Sequence, residues 1–305
     1  MSVQRLPGFR DIYGDMASAY EKILDVLKKI AFKYGFTRYI PPTLEPMELY
    51  SEKLAMGLRM YRFKDLGERD VVIRPEVTAS FVRMLLEENL ATSKRIKVWY
   101  FTHCMRYDRP QHGRYREFYQ FGWEIFPLWN RVVDNFQNIY MVSVAAKHLG
   151  LPLVIRIGNI RIIKRLMEKY NISGEMGELF LSRIDEGNIN EAIELLPPEG
   201  KALADCLQLI EFEKFSKLLE AFSDDLIKEE LDVMRSVEKM LSKTLSDSVP
   251  RFYSLSVVRG WDYYTGITIE VDYPPLKASK QIGGGGEYSI SLLPNKTGTG
   301  FAWGF

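Results

Sequence analysis

Four arginines, Arg106, Arg109, Arg114 and Arg116, fall within eleven residues of this chain, and Phe118 follows them at once. A guanidinium binds phosphate bidentately through a planar fork, and an aromatic ring beside it can stack on a flat base. The chemistry on offer is the binding of a polyphosphate attached to a base. What must position it is legible on either side. Residues 96–105 (Ile-Lys-Val-Trp-Tyr-Phe-Thr-His-Cys-Met) and 118–126 are rich in β-branched and aromatic residues, with Pro110 and Gly113 between them, which predicts a long antiparallel hairpin. Strand side chains alternate faces, so Arg114, Arg116 and Phe118 share one face, continued by Gln120, Gly122 and Glu124. An amide, a gap and an acid suit a small cationic, amine-bearing ligand lying beside the nucleotide. The plainer alternative is charge that protects an edge strand from aggregation, but that use does not call for aromatic residues interleaved with arginines.

With 305 residues the chain can bury a large core, and its length allows roughly two domains. Forty-one Lys and Arg balance forty Asp and Glu for a formal net charge of +1, so the whole chain does not carry the electrostatic footprint of a nucleic-acid binder, although a local basic patch is compatible with it. Cys104 and Cys206 stand far apart and without metal-ligand spacing, which predicts a reducing compartment and no metal site. No run approaches eighteen apolar residues and the first residues form no apolar leader. The expectation is a cytoplasmic protein that does not enter a membrane.

In chain order, apolar residues at helical spacing predict a helix over about 16–34 that stops at Gly35. Pro41 and Pro42 follow a strand-like stretch and, lacking N–H donors, must lie at an edge or a boundary. Short strands are expected at 60–63 and 71–73. Arg74-Pro75-Glu76-Val77-Thr78 then opens a helix, with Pro75 near its first turn and an apolar stripe through Phe81, Val82 and Leu85. Glu76 and Thr78 can serve there simply as helix-start residues. A helix at 133–149 and a strand at 153–157 precede charged, Leu-rich helical text, broken by Gly174, Gly187 and Pro197-Pro198. Strand text resumes over 252–258 and leads to Arg259-Gly260-Trp261-Asp262-Tyr263-Tyr264. A turn entering an aromatic strand accounts for the tyrosines but leaves Arg259 unexplained. Gly283 to Gly286, four glycines in a row, let backbone approach a ligand closely.

Taken together these segments resemble the class II aminoacyl-tRNA synthetases, and among them the histidyl-tRNA synthetases. Arg106-x-Asp108 followed by Arg114-x-x-x-Phe118 is similar to the second class II signature, and Gly298 to Phe305 to the start of the third. The Arg-Pro-Glu-x-Thr, Arg-Gly-x-Asp-Tyr-Tyr and glycine-run peptides resemble those of the histidine-specific family. The resemblance implies an α+β fold, with a mostly antiparallel sheet flanked by helices. It further implies a catalytic domain in two parts, 1–158 and 251–305, around a helical insertion at 159–250, and no anticodon-binding domain in this chain. The implied activity is ATP-dependent activation of histidine to the adenylate and its transfer to tRNA(His), with Mg2+ bridging the phosphates and a homodimer meeting near Pro42. By match, Arg106 and Arg259 straddle the α-phosphate as the catalytic pair, and Asp108, Arg114 and Phe118 complete the ATP site. Glu76, Thr78, Gln120, Glu124, Tyr263, Tyr264, Gly284 and Arg259 hold histidine, with Tyr264 on the imidazole. The family's glycine run continues Arg-Tyr-Asp where this chain has Glu287, Tyr288 and Ser289. That departure leaves open a non-catalytic paralogue, the histidine-sensing regulatory subunit of an ATP phosphoribosyltransferase. Such a sensor has no use for Arg106, Arg114 and Phe118.

Overall fold

A computed structural model describes residues 3–50, 60–91, 94–107, 115–245, 249–259, 263–293 and 295–305. The expected hairpin is its spine. Strands β5 (Ile96–Met105) and β6 (Glu117–Phe126) pair antiparallel over their full lengths, Trp99 against Trp123 and Thr102 against Gln120. On the β6 side the sheet continues antiparallel through β11 (Gly298–Gly304), β10 (Gln281–Tyr288), β9 (Tyr264–Asp272) and β7 (Val154–Asn159). The short strands β1 (Thr37–Arg38) and β8 (Arg251–Tyr253) close the two edges in parallel, making eight strands. A separate three-stranded sheet joins β2 (Leu44–Pro46), β4 (Asp70–Ile73) and β3 (Arg62–Lys64). The class is α+β, as expected.

Alternation along the strands separates two faces. Trp99, Trp123, Phe301, Ile269 and Ile157 line up across five strands on one face, all buried. Helices α1 (Gly14–Lys33) and α3 (Arg131–Leu149) pack against this side. Asn138 of α3 fixes the match: its Oδ1 accepts from the Trp123 indole at 2.8 Å, and its Nδ2 donates to Thr299 Oγ1 and the Gly300 carbonyl. Burying so polar a side chain is tolerable because every bond is made. On the opposite face a row runs Tyr100, Gly122, Ala302, Gly284, Glu270, Arg156, with Glu124, Gly300, Gly286 and Thr268 in the next row. Glycines and one alanine at the centre make a floor of backbone on which larger side chains can lie.

Between β7 and β8 the chain is helical: α4 (Ile160–Lys169), α5 (Gly174–Asp185), α6 (Ile189–Glu194), α7 (Leu203–Cys206), α8 (Phe212–Glu220) and α9 (Asp225–Thr244). Gly174 and Gly187 bound α5, and Pro197-Pro198 lead into a short 3-10 turn. One apolar cluster runs through these helices and the sheet without a break. Two local expectations are corrected. The strand expected over 252–258 ends at Tyr253, because the Ser254 hydroxyl donates to the Leu207 carbonyl at 2.9 Å and accepts from the Ser256 N–H, turning the chain. The helix expected from Pro75 begins three residues later, α2 being Thr78–Glu87. Pro41 and Pro42 do lie outside any ladder, between β1 and β2, and their carbonyls accept from the buried Arg74 guanidinium, which also holds Thr102 Oγ1 and the His103 carbonyl.

Candidate active site

The late start of α2 puts Glu76 just outside the helix, where its carboxylate folds back onto the first free N–H groups. Oε2 accepts from Thr78 N at 2.6 Å and Oε1 from Ala79 N at 2.8 Å. A helix N-terminus favours such a negative charge, and the two bonds fix the acid's orientation. Thr78 then turns its hydroxyl to Glu124 Oε1, 2.8 Å away on β6. The helix start and the sheet thus meet through two carboxyl groups and one hydroxyl. Both acids are buried, and burial is the main cause of their raised pKa values. For Glu124 the Thr78 bond works the other way and the Glu76 charge adds to the rise, bringing it to about 8. Among the described residues, Glu124 Oε2 makes no hydrogen bond of good geometry, although the Tyr100 and Tyr288 hydroxyls interact with the carboxyl group. An orphaned, buried acceptor of this kind fits a ligand N–H.

Arg259 and Glu124 fit over this floor only because the glycines beneath them lack side chains. A Cβ on Gly300 would stand 2.0 Å from Glu124 Oε2, and one on Gly284 would stand 2.3 Å from Arg259 Nη1. Arg259 lies over that glycine with Nη1 3.2 Å from Glu270 Oε1, and its guanidinium carbon is 5.9 Å from the Tyr264 ring centre. Burial opposes its charge, but Tyr264, Glu270 and Asp185 more than offset that and hold its pKa above the ordinary value. Glu270 is held in turn by Arg156 at 2.7 Å. Tyr263 and Tyr264 stack obliquely with centres 4.9 Å apart, and the Tyr263 hydroxyl reaches Glu76 Oε2 at 3.4 Å.

The second group sits at the far end of the hairpin. The Arg106 guanidinium lies 5.0 Å from the Phe118 ring centre, and its Nε donates to the Pro75 carbonyl at 2.9 Å, one residue from Glu76. Gln120, between Phe118 and Glu124 on the same strand face, has its Oε1 held by the Cys104 thiol at 3.6 Å, which leaves the NH2 end directed elsewhere. Of the residues expected from sequence, Arg106, Phe118, Gln120, Glu124, Glu76, Thr78, Tyr263, Tyr264, Gly284 and Arg259 are therefore linked by contacts or by a shared strand face. Asp108 and Arg114 lie outside the described residues.

A model of the histidyl-tRNA synthetase family matches residues 8–305. The histidine–tRNA ligase of Archaeoglobus fulgidus is 34% identical over 315 residues, an alignment that takes in 100% of this chain and 75% of that protein. The chain belongs to the histidyl-tRNA synthetase family. It is thus an aminoacyl-tRNA synthetase by descent. The fold agrees. A Bacillus halodurans structure, titled as an ATP phosphoribosyltransferase regulatory subunit/histidyl-tRNA synthetase, superposes with a TM-score of 0.85 at 20% identity, covering 99% of this chain and 82% of that one. Apo histidyl-tRNA synthetase of S. aureus gives 0.68 at 24% identity, covering 100% and 72%.

Sequence reasoning missed four contributors to this candidate site of a histidyl-tRNA synthetase family member. Tyr288 appeared only as part of a departure from the family pattern, yet β10 carries its hydroxyl to Glu124. Tyr100 reads as one strand aromatic among many. Glu270 and Arg156, which pair with each other and so hold Arg259 in place, are separated by more than a hundred residues. Only the alternation of β9, once its register was known, could have placed Glu270 opposite Gly284.

Proposed function

We propose that this protein joins histidine to ATP, giving histidyl-adenylate and pyrophosphate, and then passes the histidyl group to tRNA(His). The observation that carries the reading is the unpartnered Oε2 of Glu124, whose other oxygen is one Thr78 hydroxyl away from the helix-start acid Glu76 and which lies across a glycine floor from Arg259. In the first step a carboxylate oxygen of histidine attacks the α-phosphorus and the bond to pyrophosphate breaks. Both partners are anions, so positioning and charge neutralisation are what the protein must supply. Arg259 and Arg106 supply the charge, Phe118 the stacking surface, Glu76 and Thr78 the grip on the ammonium group, and Glu124 with Tyr264 the reading of the imidazole. Gln120 adds an amide between the two halves. Magnesium would take its ligands chiefly from the phosphates, in keeping with how that ion binds nucleotides, and would neutralise part of their charge. We read the helices over 159–250 as the insertion that clasps the acceptor end of the tRNA, and the setting as cytoplasmic. Histidine-dependent exchange of pyrophosphate into ATP, run beside the same assay with other amino acids, is the test. Histidine binding without exchange would support the sensor reading instead.

Glu124 makes amino-acid binding pH-dependent. Its raised pKa keeps the empty pocket protonated below about pH 8, whereas a ligand N–H favours the ionised acid. Binding below that pH therefore expels a proton. Affinity for histidine should climb between about pH 7 and 8, by at most about tenfold per unit, and then level off. Calorimetry in buffers of different ionisation enthalpy counts the proton. Glu124→Gln should erase the slope and weaken histidine far more than ATP; an unchanged histidine affinity would place the imidazole elsewhere.

We also propose a homodimer that meets near Pro42, whose carbonyl is held by Arg74. Sedimentation should give twice 35.4 kDa at micromolar concentration, and a monomer would count against it.

A further inference from the structure

Residues 6–10 cross the turn end of the hairpin, touching the start of its second strand directly and the end of its first through Tyr61. The Leu6 carbonyl accepts from Phe9 N at 3.2 Å, making a tight turn at Gly8, whose φ is +86°. The Gly8 carbonyl then accepts from Arg116 N at 2.8 Å, and the Pro7 carbonyl from Arg116 Nη1 at 3.4 Å. Contact is so close that a Cβ on Gly8 would lie 2.7 Å from Arg116 Cγ. Next along, the Arg10 guanidinium lies 3.9 Å above the Tyr115 ring and donates to the Tyr20 hydroxyl of α1. Toward the other strand the link is relayed: Phe9 packs edge-on against Tyr61 at 6.2 Å and Tyr61 against Tyr107 at 5.5 Å, with the Arg116 guanidinium 4.1 Å above Tyr107.

These contacts bear on two residues of the site. Arg106 N donates to the Arg116 carbonyl at 2.9 Å, so the strand that Gly8 holds in turn holds the backbone of Arg106, while Phe118 stands two residues beyond Arg116. Generic packing of a chain terminus would spread over the nearest apolar surface. This segment instead ties one end of α1 to the two strand ends that carry the cation and the ring.

We propose that residues 6–10 are a positioning strap for the ATP half of the site, setting where Arg106 and Phe118 sit without touching the nucleotide. The proposal rests on the reading that ATP is a substrate. Gly8→Ala, which must push the strap off Arg116, should raise KM for ATP on the order of tenfold in the exchange assay and leave KM for histidine unchanged, a smaller loss than the ~10²-fold that a 1 Å misplacement can cause. Arg10→Gln should act in the same direction and Arg10→Lys, which keeps a cation over Tyr115, should restore ATP affinity. The Arg10 pair decides the matter if Gly8→Ala does not fold. Direct titration of ATP into each variant separates the two ideas. If the wild type binds ATP without exchange, the synthetase reading fails and the strap is judged on the ATP Kd alone. Equal changes for histidine and ATP, no change for either, or no ATP binding by the wild type would overturn the strap.

Discussion

Arg259→Ala should lose histidine-dependent pyrophosphate exchange by about a hundredfold or more, the usual cost of removing one preorganised charge donor from a reacting centre. The protein should nevertheless stay folded. Removing a buried cation is often destructive because its partner acid is stranded, but here Glu270 keeps Arg156 at 2.7 Å, and Arg156 also reaches Asp272 at 2.9 Å. The pair that orients Arg259 is therefore self-sufficient without it. Arg259→Lys is the sharper variant, since it retains charge and loses the planar fork, and should recover only part of the activity. Thermal unfolding and exchange measured on the same preparations decide the matter. A folded alanine variant with near-normal exchange would remove Arg259 from the chemistry.

The second large effect is expected on the other face of the sheet from Glu124 and Arg259. Arg131 of α3 donates to Glu287 on β10 at 2.7 Å and to both oxygens of Glu230 on α9, at 2.8 and 2.5 Å, joining three elements through two carboxylates that water barely reaches. Breaking a buried pair by removing one partner typically costs about 3–5 kcal/mol. Arg131→Met should fall toward the lower end, because Glu230 keeps Arg161 and Asn159, and Glu287 keeps the Asn135 amide. The pH dependence identifies the cause. Burial already raises the pKa of Glu287, and without Arg131 it rises further. An acid with a raised folded pKa lends stability below its unfolded pKa and forfeits it as pH climbs through the folded value. The deficit of Arg131→Met relative to wild type should therefore shrink toward pH 5 and widen toward pH 8, with Glu124 cancelling in the comparison. Denaturant unfolding at the two pH values reads this directly; a deficit indifferent to pH would mean lost packing and not a stranded charge.

Glu287 also shows where sequence stops being informative. Its oddity was visible as a break in a family pattern, but nothing local to residue 287 points to Arg131, which is 156 positions away. The hairpin was legible because its signal is local: aromatic and β-branched residues in two runs around a turn. Glu76 and Thr78 were legible as a pair, although the sequence did not reveal that Glu76 would cap the helix from outside it or that Thr78 would bridge to Glu124. The overlong strand at 252–258 failed for the complementary reason. Its residues have strand propensity, and a serine hydroxyl bonding to a distant helix end overrode it.

The backbone floor sets a direction on what variation can do to this pocket. On the proposed reading the amino acid lies over a floor that includes Gly284 and Gly300, where there is no side chain left to trim and any single substitution adds atoms. Point changes can make the site smaller or alter its walls, at Glu124, Tyr264 or Tyr288, but cannot deepen it. On that reading an amino acid bulkier than the present one could be admitted by trimming a wall, but not from below without parting strands β10 and β11, at the cost of the ladder that holds the sheet together. The limit on depth would thus be written in backbone, and be harder to mutate away than a limit set by the walls.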